Sequence, residues 1–329
     1  MRIPLYIIPT KTASGATKMS IGSQIFFFSL NILLIAIISL LFYLIQPIST
    51  QKIIYIPKGG TNGIITQLKE QNGNISVGFD KLLLRFFGYP QSGWIDMGSS
   101  VLTKADFLYQ LSHAKAAMQA ITLIPGETAY IFLGQLSDKL KLSFDKLWRE
   151  YERLSPFEDG WIVPETYNIP LGVDEKWLIS YLLNDSKKRH EALSYELTGE
   201  YDESKWSRIL TIASIIQKES ADDSEMPTVS SVIYNRLRIR MKLQMDGTLN
   251  YGQFSHTKVT PKRIKEDTSR YNTYAYYGLP ENPVCAVSID AIRAAVNPES
   301  SGYLYFVKGE NGKHLFTETY SEHLKNISR

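Results

Sequence analysis

Glu219 closes an almost unbroken apolar run, Ile209-Leu210-Thr211-Ile212-Ala213-Ser214-Ile215-Ile216-Gln217-Lys218-Glu219. At about 100° per residue, a helix over this run points Glu219 the same way as Ile212, Ile215 and Ile216. A carboxyl emerging from an apolar wall has its charged form disfavoured and its pKa raised. An acid still protonated near neutral pH can give its proton to a leaving group. Lys218 and Asp222 turn to other faces, so neither is the obvious neutralising partner. On the helix alone the plainer reading, a solvated glutamate at a helix end, stays open.

The chain that follows is polar in a particular way. Val229, Val232, Ile233, Arg236 and Leu237 recur at helical spacing, Asp246-Gly247 signals a turn, and Tyr271–Tyr277 is a loop dense in tyrosine and amide groups. Sugars are held by amide and hydroxyl hydrogen bonds and by flat apolar faces, and Tyr, Asn, Gln and Thr supply both without charge. Beside a buried acid, such a surface points to glycoside chemistry. Gln244, Tyr271, Asn272 and Tyr274 are the candidates for substrate positioning, with Asp246 in the turn beside them. For any one tyrosine, a hydroxyl satisfied inside a packed loop is the alternative. Asp246 reads more readily as a structural cap than as a catalyst. Cys285 is alone and the five histidines are scattered, which leaves no metal-ligand spacing. There is no phosphate-cradling glycine loop and no Gly-x-Ser-x-Gly elbow. No metal and no cofactor is expected.

Seven segments carry a resemblance. They are Asp159-Gly160-Trp161-Ile162-Val163-Pro164-Glu165-Thr166-Tyr167, Ala213–Ser220, Tyr234-Asn235-Arg236-Leu237, Leu243-Gln244-Met245-Asp246, Tyr271-Asn272-Thr273-Tyr274 with Gly278-Leu279-Pro280, Ala294-Ala295-Val296-Asn297-Pro298, and Tyr303-Leu304-Tyr305-Phe306-Val307. In their order and spacing, from about residue 50 to the C-terminus, the chain resembles the membrane-bound endolytic murein transglycosylase family (MltG, YceG-like). The resemblance implies that Glu219 is the catalytic glutamate. It also implies cleavage of the N-acetylmuramic acid–N-acetylglucosamine bond inside peptidoglycan strands, with formation of a 1,6-anhydro end, and coupling to cell-wall synthases whose nascent strands would be terminated. Three positions depart from the family pattern. A second acid often stands where Gln217 is, an Asp where Glu165 is, and a Pro where Gly247 is. None removes the proton donor.

Composition sets the frame. The 329 residues, 44% hydrophobic and 21% charged, are globular in character and long enough for about two domains. A net charge of +3 is too small for a dedicated nucleic-acid binder and compatible with an anionic polymer. One cysteine excludes an intrachain disulfide framework. Residues 25–45 carry no charge, and a helix of that length rises about 31 Å, enough for a bilayer core of about 30 Å. Gln46-Pro47-Ile48 offers no signal-peptidase site. Arg2, Lys11 and Lys18 precede the run without an acid among them, which predicts a cytoplasmic N-terminal tail over 1–24. Residues 46–329 are then outside an inner (cytoplasmic) membrane crossed once, where the implied substrate lies.

Past the membrane a faint repeat is visible. Ile56-Pro57-Lys58-Gly59-Gly60-Thr61 and Ile124-Pro125-Gly126-Glu127-Thr128 each precede an amphipathic stretch, and each is followed by Phe-Asp-Lys-Leu, at 79–82 and at 144–147. Each copy reads as strand, turn, helix, second helix. The first copy, about 50–118, resembles the family's small LysM-like module, which implies glycan binding or a spacer role. Residues 119–329 are expected to form the catalytic domain. Helical periodicity over 174–242 and 287–297 with strand-like runs at Ile121–Ile124 and Tyr303–Val307 makes the class α+β, with long loops over 245–285. Two rivals remain: a muramidase-type hydrolase using Asp246 as second carboxylate, and a membrane-anchored glycan-binding scaffold without turnover.

Overall fold

A helix with no buried residue leads the described chain: Ile21–Leu44 (α1), 24 residues. In this computed structural model residues 21–71 and 74–327 are described. Arg2, Lys11 and Lys18, and most of the expected 1–24 tail, lie outside them. Among the described residues α1 is the one helix long and apolar enough to cross a membrane. It starts four residues before the charge-free run, because Ile21–Gln24 are also uncharged, and ends at Leu44. The stop has a local cause. Pro47 disfavours helical geometry at Gln46, and Gln46 N–H reaches only the Tyr43 carbonyl, at 3.4 Å.

The chain divides into two compact units, Met1–Ala116 and Ala117–Arg329. In the first, Pro47–Ser49 (β1) pairs antiparallel with Val101–Thr103 (β4), and Ile53–Ile56 (β2) with Gly93–Asp96 (β3). Thr61–Gln71 (α2), Phe79–Phe87 (α3) and Lys104–His113 (α4) cover these ribbons. Strand alternation sends Ile54 and Ile56 inward and Tyr55 outward. They meet Ile64, Ile65 and Leu68 of α2 and Phe107 and Leu111 of α4 in one core. That core also holds a charged pair. Lys104 Nζ lies 3.6 Å from Asp80 Oδ2, with both side chains sealed from water. Asp80 further accepts from the Tyr43 hydroxyl and the Ser76 N–H, each at 2.8 Å. The Lys104 ammonium sits 3.8 Å from the Tyr43 ring centroid. The last turn of α1 is therefore locked to α3 and α4.

The second unit repeats the strand–helix–helix order. Met118–Thr122 (β5) pairs antiparallel with Thr166–Pro170 (β6), and Ala129–Leu140 (α5) and Phe144–Leu154 (α6) lie between them in sequence. Thr128 caps α5 by accepting the Ile131 N–H. The buried face of α5 is Ala129, Phe132, Leu133 and Leu136, so Ile131 sits at its edge. Then come Glu175–Thr198 (α7), Glu203–Glu219 (α8), Met226–Arg238 (α9), the short Pro261–Glu266 (α10) and Ile289–Val296 (α11). Tyr305–Lys308 (β7), His314–Thr317 (β8) and Tyr320–Ile327 (α12) complete it. Among the described residues the four sheets are all antiparallel pairs, so no parallel pair calls for a βαβ crossover. Helix α8 runs through the core: Trp206, Leu210, Ile212, Ile215 and Ile216 are buried against α9 and α11. The 245–285 stretch carries two single 3-10 turns and α10, and side-chain hydrogen bonds hold the rest of it.

Removing one member of the buried pair strands the other. Lys104→Met is expected to destabilise the first unit by about 3–5 kcal/mol. Asp80→Asn with Lys104→Met should recover part of that loss in denaturant unfolding, and an unchanged midpoint for the single variant would contradict the pair's role.

Candidate active site

Glu219 is the last residue of α8. Its neighbours one and two turns back, Ile215 and Ile216 and then Ile212, are fully buried, and Glu219 itself is half-buried at the edge of that wall. One hydrogen bond holds the carboxyl: Oε1 accepts the Gly247 N–H at 2.6 Å. Burial pushes the Glu219 pKa up to about 7, and the Asp246 charge adds to this, while the Gly247 N–H and the Arg236 charge oppose it. A single N–H and one distant cation do not outweigh desolvation here.

The anchor is built by the segment after α9. Asp246–Leu249 forms a 3-10 turn stapled to the 271–274 loop. The Gln244 N–H reaches the Thr273 carbonyl at 3.2 Å, the Met245 N–H reaches Thr273 Oγ1 at 3.1 Å, and the Thr248 and Thr273 hydroxyls are 3.0 Å apart. Gly247 is required by space. A Cβ there would lie 2.5 Å from Lys218 Cβ and 2.9 Å from Glu219 Oε1. A proline would bring the same clash and lose the N–H.

Three more sequence candidates lie on the segments that hold the glutamate. Asp246 is exposed, and its Oδ1 accepts the Tyr274 hydroxyl at 2.7 Å. Burial and that bond raise the Tyr274 pKa, with the Asp246 and Glu219 charges adding to it. Gln244 is exposed beside them with its backbone in the left-handed region, φ 48°.

The other two candidates are spent internally. Asn272 is buried, and all four of its hydrogen bonds close the loop. Nδ2 donates to the Ile264 and Asp267 carbonyls, and Oδ1 accepts the Tyr274 and Ala275 N–H groups. Tyr271 is buried, stacks on Tyr251 at 4.4 Å and donates its hydroxyl to Glu158 at 2.9 Å. Gln217, in place of an acid, accepts the Ser288 N–H at 3.0 Å and ties α8 to the start of α11. Lys218 turns away to donate to Ser255 at 3.1 Å, and Asp222 pairs with Lys313 at 3.2 Å. Glu225 is not near this group. It accepts the His314 N–H and contacts its ring nitrogen, at 2.8 and 2.7 Å, and so clamps β8.

Arg236 is the residue that sequence reading missed. It is buried, donates to the Leu304 and Leu243 carbonyls, lies 5.4 Å from the Tyr305 ring centroid, and makes no ion pair among the described residues. Its charge acts on Glu219 and Tyr274. The signal was present. Arg236 falls on the apolar stripe of its helix, the same anomaly that marked Glu219.

Further along, Asp159 is buried and accepts the Ala129 and Gly160 N–H groups, each at 2.9 Å. Burial pushes its pKa up to about 8 against those two bonds. No group of three or more His, Cys, Asp or Glu with metal-binding geometry occurs among the described residues. The arrangement is a half-buried acid on one N–H, flanked by a hydrogen-bonded carboxylate–tyrosine pair and a fixed cation. It can donate a proton near neutral pH and hold the resulting carboxylate.

Gly247→Ala is expected to lower stability by about 1–3 kcal/mol through overpacking, measured by chemical unfolding. In the folded fraction the Glu219 carboxyl should titrate at a shifted pH, because the N–H moves. A variant with wild-type stability and an unmoved titration would show that the close approach is not needed.

A family model described as the YceG-like family matches residues 54–329. An endolytic murein transglycosylase of Bacillus subtilis (strain 168) is 36% identical over 118 residues, 36% of this chain and 33% of that protein. One from Streptococcus pneumoniae serotype 2 is 30% identical over 176 residues, 52% of this chain and 32% of that protein. The matched segments thus span about a third of the length of these relatives. A solved structure of a YceG-like protein from Listeria monocytogenes superposes with a TM-score of 0.55 at 24% identity, covering 85% of this chain and 99% of that one, a likeness of fold. With the family model running over most of its length, this chain belongs to the YceG-like family.

Proposed function

We propose that this protein is an endolytic lytic transglycosylase of peptidoglycan, with Glu219 as its catalytic acid and base. The observation that carries the reading is the Glu219 carboxyl at the buried end of α8, with its pKa pushed up to about 7 and one N–H as anchor. Glu219 gives its proton to the bridging oxygen as the bond from muramyl C1 lengthens. The departing sugar leaves with that proton. The carboxylate, steadied by the Gly247 N–H and the Arg236 charge, then takes the proton of the muramyl C6 hydroxyl. That oxygen closes onto C1 and gives the 1,6-anhydro ring. An internal nucleophile replaces water at high effective molarity, so one carboxylate suffices. Asp246 and Tyr274, hydrogen-bonded to each other, and the exposed Gln244 form the polar rim that meets the sugar.

The proximity of Asp246 to Glu219 supports one second reading, a hydrolase with two carboxylates. The products separate the two. The full chain in detergent, given purified peptidoglycan, should release fragments one water lighter than hydrolysis products. Glu219→Gln should lose at least about 100-fold in rate. Because the protonated acid is the working form, kcat/KM should fall as pH rises through about 7. Reducing-end fragments would establish the hydrolase, and binding without fragments at any pH would leave a scaffold.

We propose further that α1 anchors the chain in the inner membrane with its N-terminus cytoplasmic and both units outside, and that cell-wall synthases on that face are its partners. Failure to co-purify with any synthase from solubilised envelopes would count against the last point. The first unit is proposed as a LysM-like, glycan-binding module. Tyr55 and Trp94 are paired across β2 and β3, ring centroids 5.3 Å apart, tilted by 53° and both exposed, an aromatic pair whose faces can meet a sugar ring. Trp94→Ala in the full chain should reduce co-sedimentation with peptidoglycan severalfold, and unchanged sedimentation would leave the unit a spacer.

A further inference from the structure

A cavity of about 610 Å³ opens in the second unit, and Glu219 does not line it. Its walls are aromatic. Tyr130 and Trp148 pack edge-to-face at 5.4 Å on one side, and Tyr251 and Tyr271 stack at 4.4 Å on another. Two exposed glutamates, Glu152 and Glu158, belong to the lining, and none of the lining residues is Lys or Arg. Glu158 spends one oxygen on the Tyr271 hydroxyl. The nearby guanidinium of Arg263 lies over the Phe254 ring and is taken up by the Leu249 and Thr257 carbonyls. Asp159 lines the cavity too, buried, with its Oδ1 accepting two backbone N–H groups. The Lys218 charge reaches Asp159, but the Lys218 ammonium donates to Ser255.

Electron-rich ring faces with carboxylates that no Lys or Arg of the lining pairs are the chemistry that recognises an ammonium group. A neutral sugar could donate hydroxyls to the carboxylates but would leave their charge unpaired, and an anion would be repelled. The Tyr251–Tyr271 wall continues the segments that frame Glu219, whereas Tyr130 and Trp148 come from α5 and α6. Tyr251 follows the Asp246–Leu249 turn by two residues, and Tyr271 precedes Tyr274 by three. A group bound in the cavity is therefore only a few residues of chain from the candidate acid, each worth at most about 3.6 Å.

We propose that this cavity binds the side-chain ammonium group of a diamino acid in the peptide stem of the bound strand. The identity of the peptide rests on the transglycosylase reading, and the ammonium specificity rests on the cavity alone. Stem recognition of this kind would favour strands whose amines are free over strands in which cross-linking or acylation has consumed them.

The test is a binding titration followed by tryptophan fluorescence, using the full chain in detergent and no cleavage step. The probe is N-acetyl-alanyl-γ-glutamyl-lysine, compared with the same peptide acetylated on the lysine Nε. The free amine should bind at least tenfold tighter. The signal should vanish in Trp148→Phe, and Glu152→Gln with Glu158→Gln should abolish the preference while the circular dichroism stays native. Glu152→Gln alone, at an exposed side chain, should weaken the preference if the double variant misfolds. Equal affinity for the two peptides, a preference that survives loss of both carboxylates, or a stronger response to a peptide-free disaccharide would overturn the proposal. Selective binding by a protein that cleaves no peptidoglycan would keep the ammonium site and sink the enzymatic reading instead.

Discussion

One contact governs the candidate site: the Gly247 N–H on the Glu219 carboxyl, at the rim of an isoleucine wall. The wall alone would make the acid too reluctant to ionise, and several donors would make it too willing. A single N–H leaves it between, with a pKa pushed up to about 7. Much of the surrounding structure serves that balance. The 3-10 turn presents the N–H, Thr273 holds the turn, and Asn272 holds the loop that carries Thr273. Residues that do not contact Glu219 thus help to set its ionisation.

This hierarchy explains what could be read from the sequence. Helical periodicity located α7, α8, α9 and α11, because a buried face repeats at the helix period regardless of what covers it. The same periodicity placed Glu219 on the inner face. The repeated strand–helix–helix order was legible from two short matching segments. Tyr271 and Asn272 were harder. They share a loop with Tyr274 and have the same chemistry, yet only Tyr274 reaches the group around Glu219. In an irregular loop no period tells which side chains turn inward. That is settled by hydrogen bonds such as the four of Asn272, which join residues far apart in sequence. Arg236 was legible in principle, since a cation on an apolar stripe is as anomalous as an acid there. The cavity was not, because its walls come from α5, α6 and three separate loops.

The three departures from the family pattern also have physical roles here. Gln217 accepts an N–H from the start of α11, a bond that a carboxylate there could accept equally. Glu165 pairs with Arg189 at the surface, at 3.1 Å, a contact of modest energy that a shorter acid could lose without harm. Gly247 is the consequential one. Its missing Cβ and its N–H are both used.

The passage from α1 into β1 has a mechanical meaning. Only Ile45 and Gln46 separate the two elements, the Lys104 N–H grips the Gln46 carbonyl at 2.9 Å, and Tyr43 is bolted to Asp80. A protein on a long leash sweeps a hemisphere around its anchor. Once α1 stands in a bilayer, this first unit has no leash. It is mounted like a gauge block on a spindle, free to turn about the helix axis but held at one height, so whatever it grips is sampled from a single thin layer above the lipid.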